Sequence, residues 1–268
     1  MFPKQPFLVQ FLFPGVLQTP SLHSGEFTMR LPIIEGIIRR RILVNFRVDP
    51  EVIQKILPSR FKPKLHQGQA IAGICLIRLE QIRPKMFPQI VGLSSENAAH
   101  RIAVLWEEDG LTQEGVFVPR RDTDSQLNHL LGGRVFPGEH HLAEFKVEEN
   151  DRRIALSMKS ADRNVAVEVR GSISEELPQT SIFQSKSEAS RFFETGSLGY
   201  SVTNDANRLD GLRLHTREWQ VEPLDIEQVY SSYFADELKF PTGSTEFDHA
   251  LIMRNIAHEW HTASDLHI

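Results

Sequence analysis

Apolar and polar residues alternate with the period of a β-strand along much of the chain. Residues 42–48 carry apolar side chains at every second position, which predicts a half-buried strand with Asn45 and Arg47 on its polar side. Residues 69–79 are apolar at consecutive positions, which predicts a central strand buried on both faces. Further strands are predicted at 102–106, 143–147, 154–158, 165–169, 212–221, 227–234 and 247–253. Polar turns separate the segments at 143–147, 154–158 and 165–169, which predicts an antiparallel meander there.

Three short helices interrupt the strands. Asp49 before a proline is a typical helix N-cap, and Ser185 with Glu188 has the spacing of a capping box. A third helix is predicted from Asp122 to Leu131, with Asp122 as its N-cap. Many antiparallel strands with few helices favour a mainly β (α+β) fold, a barrel or strongly curved sheet with about three short peripheral helices.

The chain of 268 residues contains no repeat or linker that divides it, which favours one domain over 29–268. Residues 1–28 differ, because prolines crowd their apolar run and no clear period is present. We expect a spurious extension, with translation starting at Met29. The alternatives are a disordered tail and a targeting segment.

Composition narrows the class of protein. The net charge is -5, and basic residues are scattered among acidic ones, which argues against a nucleic-acid partner. No apolar run is long enough to span a bilayer, so no membrane association is expected. The single cysteine, Cys75, lies in an apolar run, where a packing role is the usual one. One cysteine excludes an intrachain disulfide and fits a reducing compartment, so we expect a cytoplasmic protein.

Candidate chemistry concentrates between residues 94 and 141, where polar side chains lie next to strand ends. Glu96 is the candidate catalytic residue, a general acid or base if burial raises its pKa. The candidate substrate-binding residues are His100, Arg101, Arg120, Arg121, Arg134 and His140. Guanidinium groups bind carboxylates in a bidentate manner, so this set predicts a pocket for a small acid. The alternative is a set of surface ion pairs.

Arg120 and Arg121 are neighbours at the end of a predicted strand and therefore point to opposite faces. Only one of the two can face a pocket, and that one is the candidate clamp for an anion. His258 and His261 would share one face of a helix, but the sequence supplies no third ligand, so we expect no metal. No nucleophile-elbow motif is present, which argues against a hydrolase, and no cofactor is expected.

Several motifs together resemble a bacterial family of uncharacterised conserved proteins that is related to the acetoacetate decarboxylase-like superfamily. The matching segments are 95–101, 115–123, 131–138, 140–141, 196–200 and 258–261. The resemblance implies a large, cone-like antiparallel β-barrel with outer helices and a central cavity, and it is compatible with homo-oligomers. Acetoacetate decarboxylases use a lysine that forms a Schiff base with the substrate.

That lysine is absent from both segments that resemble its motif, 117–121 and 134–140. Arginine stays protonated and cannot form an imine, so the decarboxylase reaction does not follow from the resemblance. We expect a small-ligand-binding barrel that recognises a keto or carboxylic acid, whether or not it is an enzyme. The alternatives are a non-catalytic scaffold or oligomer-forming protein, and a lyase that uses a displaced lysine such as Lys146 or Lys159.

Overall fold

The computed structural model describes residues 32–131 and 138–268, without the side chains of Val91, Leu130 and Leu131. The predicted extension 1–28 and the predicted start at Met29 lie outside this part of the chain. The described strands are β1 (Ile34–Val48), β2 (Lys62–Pro63), β3 (Leu65–His66), β4 (Gln69–Pro84), β5 (Leu93–Glu108), β6 (Leu111–Thr123), β7 (His140–Glu149), β8 (Arg153–Ser160), β9 (Ala166–Ile173), β10 (Leu198–Val202), β11 (Arg208–Thr216), β12 (Glu222–Ser231) and β13 (Thr245–His267).

Three α-helices and a short 3₁₀ turn accompany the strands: α1 (Pro50–Ile56), α2 (Gln126–Leu131), α3 (Lys186–Glu194) and the turn at Gln89–Val91. The predicted N-caps of α1 and α3 are confirmed, because Asp49 accepts from the Glu51 amide and Ser185 accepts from the Glu188 amide. Within the described residues, no helix is long and apolar enough to cross a membrane.

All thirteen described strands belong to one sheet, which closes into two rings. The larger ring has nine strands, in the order β6, β7, β8, β9, β12, β13, β1, β4 and β5. The smaller ring contains β6, β10, β11, β13, β1, β4 and β5. Pairing is antiparallel except between β6 and β7 and between β6 and β10. The predicted mainly β barrel-like fold with three helices, and its meander β7–β8–β9, are therefore confirmed.

The rings are separated because β13 and β6 each change partners along their length. β13 pairs with β12 at 250–252 and with β11 at 258–267. β6 pairs with β10 at 116–118 and with β7 at 121–123. The four strands β13, β1, β4 and β5 and part of β6 are consequently shared by both rings and have no solvent face over much of their length.

The two faces of the shared strands carry separate apolar clusters. Ile42, Val44 and Ile74 pack with residues of β8 and β9 inside the nine-strand ring. Leu43 and Ile77 belong to a second cluster on the opposite face, which α3 covers with Ala189 and Phe193. The prediction that β1 is half-buried was wrong, since its second face lies under this cluster rather than in water.

Two local predictions were also wrong. Asp122 does not cap α2, because β6 continues to Thr123 by pairing with β5, and Ser125 Oγ instead accepts from the Asn128 amide at 3.3 Å. His258 and His261 do not share the face of a helix, because both lie on β13. A separation of three residues places strand side chains on opposite faces.

The backbones of β1 and β4 lie close together at Gly73, so a substitution there tests the pairing of the two strands. A Cβ atom at Gly73 would lie 2.1 Å from the Val44 carbonyl oxygen, which is backbone and cannot move aside easily. We expect Gly73→Ala to lower the free energy of unfolding by about 3 kcal/mol or more in urea titrations. Gly196→Ala is the control, since its Cβ would make an ordinary contact at 3.5 Å. Equal stability of the two variants would contradict the register of β1 and β4.

Candidate functional site: an arginine-lined cavity

A cavity of about 120 Å³ lies inside the seven-strand ring. Much of its wall is apolar and comes from the three strands β4, β6 and β11: Ile77, Leu79, Val116, Val118, Leu212 and Leu214. Three arginines, Arg41, Arg101 and Arg121, complete the wall, so we call it the arginine cavity. A cavity of this size suits a molecule of few heavy atoms, since a ~150 Å³ protein cavity accommodates benzene.

Strand alternation and register bring the arginines to the same ring. Arg41 on β1 is opposite Ile77 on β4, and Ile77 is itself a wall residue. Cys75, which lies two residues before Ile77 on β4, is opposite Ala99 on β5. Ala99 is in turn opposite Arg121 on β6. Neighbouring residues on adjacent strands point to the same face. Three strands therefore supply one guanidinium each to a shared surface.

Arg101 is held by a buried chain of hydrogen bonds. Its Nη2 donates to Asn45 Oδ1, and Asn45 Nδ2 donates to His249 Nε2 at 3.0 Å. His249 Nδ1 donates to Asp248 Oδ2 at 2.5 Å. Burial lowers the pKa of His249, and the neutral ring is the form that can accept from Asn45. The chain fixes the Asn45 amide so that its oxygen faces Arg101.

Arg121 is positioned from the other side of the cavity. Its Nε donates to Ser201 Oγ on β10 at 2.9 Å, and its strand partner on β7 is His140. Burial lowers the pKa of Arg101 and of Arg121 to about 10, so both stay cationic at neutral pH.

His140 also lines the cavity, and its pKa is lowered to about 3 by burial and by Arg121. Its Nδ1 lies 3.0 Å from the Gly138 carbonyl oxygen, which can only accept. The proton of the neutral ring is therefore assigned to Nδ1, which leaves Nε2 as an acceptor. His140 is thus a neutral hydrogen-bonding group beside a cation.

The positive charge of the arginine cavity has no ion-pair partner within the described part of the chain. Among the described residues, no carboxylate oxygen forms an ion pair within 4.0 Å of Arg41, Arg101 or Arg121. Asp122 borders the cavity, but its carboxylate is bound by Arg120 at 2.8 Å. Arg41 Nη1 and Arg101 Nε are buried without a described hydrogen-bond partner. Arg101 is buried, and Arg41 and Arg121 are half-buried. Because buried cations normally have a counter-charge, this arrangement is suited to an anion.

Glu96 lies on the opposite face of β5, not in the arginine cavity. It forms an ion pair with Arg40 at 2.6 Å, and Arg40 also binds Glu149 at 2.7 Å. Burial raises the pKa of Glu96, and Arg40 opposes this shift. The site that the sequence suggested, with Glu96 beside the anion clamp, is therefore not formed.

Arg120 and His100 also lie away from the arginine cavity. Arg120 binds Asp122 and Asp162, at 2.8 and 3.0 Å. His100 is fully buried, with its ring centroid 4.5 Å from that of Tyr233, and burial lowers its pKa to about 3. Of the candidate binding residues, the structure brings together Arg101, Arg121 and His140. Arg134 lies outside the described residues.

No lysine lines the arginine cavity among the described residues. Lys64 lines a small adjoining cavity of about 30 Å³, where it is paired with Glu114 at 2.6 Å. Lys146 is largely exposed and pairs with Glu144, and Lys159 is exposed as well. The stretch 132–137 contains no lysine in its sequence.

Sequence reasoning missed Arg41, Asn45 and His249, and it treated Cys75 as packing although Cys75 lines the cavity. Arg41 was detectable in principle. In the run Arg39-Arg40-Arg41, strand alternation sends Arg40 and Arg41 to opposite faces. The sequence gives no such signal for Asn45 and His249, because their burial depends on both faces of β1 and β4 being covered.

The fold of the chain is similar to that of acetoacetate decarboxylase-like proteins. An acetoacetate decarboxylase-like enzyme from Sphingomonas wittichii is similar with a TM-score of 0.54 and 12% identity, over 93% of this chain and 100% of that one. Acetoacetate decarboxylase from Legionella pneumophila has a TM-score of 0.53 and 14% identity, over 94% and 98%. The enduracididine biosynthesis enzyme MppR, complexed with pyruvate, has a TM-score of 0.52 and 11% identity, over 94% and 96%. At these identities the likeness shows the fold alone.

The chain belongs to the DUF2071 family of uncharacterized conserved proteins, whose model matches residues 38–255. The family membership predicted from the motifs is confirmed, and the chain shares the fold of acetoacetate decarboxylase-like proteins, as the resemblance implied. No curated protein matches the sequence.

A substitution of Glu96 distinguishes a structural role of this residue from a role in ligand binding. Glu96→Gln removes one partner of a buried ion pair, while Arg40 keeps Glu149. We expect the free energy of unfolding to fall by roughly 2 kcal/mol. Glu80→Gln removes part of an exposed pair with Arg39 and should cost less than about 1 kcal/mol. A stable Glu96→Gln variant with weakened binding of small acids would instead place Glu96 in the ligand site.

Proposed function

We propose that the chain binds a small keto or carboxylic acid in the arginine cavity, with the carboxylate held by Arg101 and Arg121. The observation that carries this proposal is the set of three guanidinium groups in a small cavity without a carboxylate partner among the described residues. A bound carboxylate would accept charge-assisted hydrogen bonds from donors that are otherwise buried without a partner. Glu96, His100 and Arg120 have no part in this proposed site.

The apolar wall supports a ligand with a short uncharged body. Val116, Val118 and Leu214 face the same space as the arginines, so a methyl or methylene group would be removed from water there. His140 supplies a hydrogen-bond acceptor next to Arg121 and would orient a hydroxyl group or an enol form of the ligand. MppR, which shares the fold, was solved with pyruvate, a molecule of this class.

If the protein is an enzyme, we infer that its chemistry uses no Schiff-base lysine, because no lysine of the described residues lines the cavity. His140 would then act as a hydrogen-bond acceptor through its Nε2 lone pair, since a pKa of about 3 makes it a weak base. The arginines would stabilise negative charge that develops on the ligand. A lyase that uses a displaced lysine is not favoured, because Lys146 and Lys159 are exposed on the meander. The existence of a charged cavity also argues against a purely structural scaffold.

Neighbouring arginines on β6 provide a matched test of this proposal. We expect pyruvate or another small carboxylate to raise the melting temperature, since ligand at about 100 times its Kd stabilises by about 2.7 kcal/mol. Arg121→Gln should weaken binding by tenfold or more, because it removes a charged hydrogen bond worth about 1.5–3 kcal/mol. Arg120→Gln should leave the Kd unchanged, since Arg120 binds Asp122 and Asp162 instead.

Calorimetry with pyruvate, lactate, acetoacetate and the neutral analogue acetone would measure these constants. Acetone should not bind, because it has no carboxylate for the arginines. The proposed site would be contradicted if no carboxylate bound to the wild type, or if Arg121→Gln and Arg120→Gln lost the same amount of affinity.

The pKa values of the site also predict how binding depends on pH. His140 has a pKa of about 3 and stays neutral, while Arg101 and Arg121 have pKa values of about 10 and stay charged. We therefore expect the Kd of pyruvate to change less than about twofold between pH 5.5 and 8, where none of these three groups titrates. A midpoint near pH 6.5 would show that a histidine with an ordinary pKa takes part in binding.

A further inference from the structure

The single cysteine of the chain lies in the wall of the arginine cavity. Cys75 is on β4, and its Sγ accepts a hydrogen bond from Arg41 Nε at 3.2 Å. Ala99, its partner on β5, is in turn the partner of Arg121 on β6. Cys75 is only 8% exposed, yet the cavity gives a small molecule a route to its sulfur.

Arg41, Arg101 and Arg121 line the same cavity as the Cys75 sulfur, and their positive charge would attract an anionic electrophile to it. Cys75 interacts electrostatically with Arg101 and Arg121 and is hydrogen-bonded by Arg41. None of the described carboxylates forms an ion pair with these three arginines, although Asp210 attracts Arg121 from a longer distance. An apolar packing site, the role expected from the sequence, would not surround the sulfur with guanidinium groups.

An independent feature points to a ligand beside the sulfur. Arg101 is 4% exposed and lines the cavity, and its Nε–H has no described hydrogen-bond partner. A buried donor of this kind normally has an acceptor, so its partner is expected to be a molecule in the cavity. The carboxylate of such a molecule would lie at the arginines, and the adjoining carbon atoms would lie in the same small space as Cys75 Sγ.

We propose that Cys75 is a nucleophile selective for small carboxylates that bear an electrophilic carbon, keto acids among them. This inference rests on the proposed anion site and adds a covalent step to it. With a keto acid, the sulfur forms a bond to the carbonyl carbon, and the C=O π pair moves to the oxygen. The oxygen then takes up the proton that the thiol released, which gives a reversible hemithioketal without any oxidant or reductant.

Paired alkylating agents test this selectivity directly. Iodoacetate and iodoacetamide both transfer a carbon to sulfur with loss of iodide, but only iodoacetate carries a carboxylate. Ordinary thiols such as glutathione react faster with iodoacetamide. We expect the ratio of the iodoacetate rate to the iodoacetamide rate for Cys75 to exceed that of glutathione by about tenfold or more, because the cavity concentrates anions. Mass spectrometry of the intact chain reports the reaction, and Cys75→Ser is the blank.

The two arginines of β6 again form the matched control pair. Arg121→Gln should lower the rate ratio towards that of glutathione, whereas Arg120→Gln should not change it. Pyruvate at saturating concentration should protect Cys75 from iodoacetate in the wild type. An equivalent exposed thiol would show neither effect.

The outcomes separate this inference from the proposed function. If pyruvate stabilises the fold but Cys75 has the rate ratio of glutathione, or reacts only after denaturation, the nucleophile is refuted and the anion site stands. If pyruvate neither stabilises nor protects and the ratio is ordinary, both proposals fail. A raised ratio that Arg121→Gln abolishes supports both.

Discussion

The change of partner along β13 is the constraint on which the rest of the structure depends. Because β13 leaves β12 for β11 half-way along its length, one sheet closes into two rings that share β1, β4 and β5. Both faces of the shared strands are therefore interior, and strand alternation assigns each side chain to one ring or the other. Arg40, Glu96 and His100 belong to the nine-strand ring, whereas Arg41 and Arg101 belong to the seven-strand ring.

The two rings differ in whether their arginines form ion pairs within the chain. In the nine-strand ring, Arg40 is paired with Glu96 and Glu149, so its charge is matched within the chain. In the seven-strand ring, Arg41, Arg101 and Arg121 have no such partner among the described residues. Removing an unpaired charge from water carries a desolvation penalty, which is largest for the buried Arg101, and a bound anion would offset it. The contrast within one fold is the strongest physical argument that the second ring is a binding site.

Much of the fold could be predicted from the sequence, because alternation, helix caps and polar turns are local signals. The strands of the meander and the caps at Asp49 and Ser185 are of this kind. The site was predicted less well, since neither the covered second face of β1 nor the change of partners is visible locally. Asn45 looked like a surface residue for that reason, yet it is fully buried and positions Arg101. Strand alternation predicted that Arg120 and Arg121 on β6 point to opposite faces. The register of β6 with β5 was needed to determine which of the two faces the cavity.

A crystal structure of the chain with pyruvate would show where the ligand binds. We expect electron density for the ligand inside the seven-strand ring, with its carboxylate within hydrogen-bonding distance of Arg101 and Arg121 and its carbonyl carbon near Cys75 Sγ. Density beside Arg40 and Glu96, or a carboxylate side chain of the protein already paired with the three cavity arginines, would contradict this expectation.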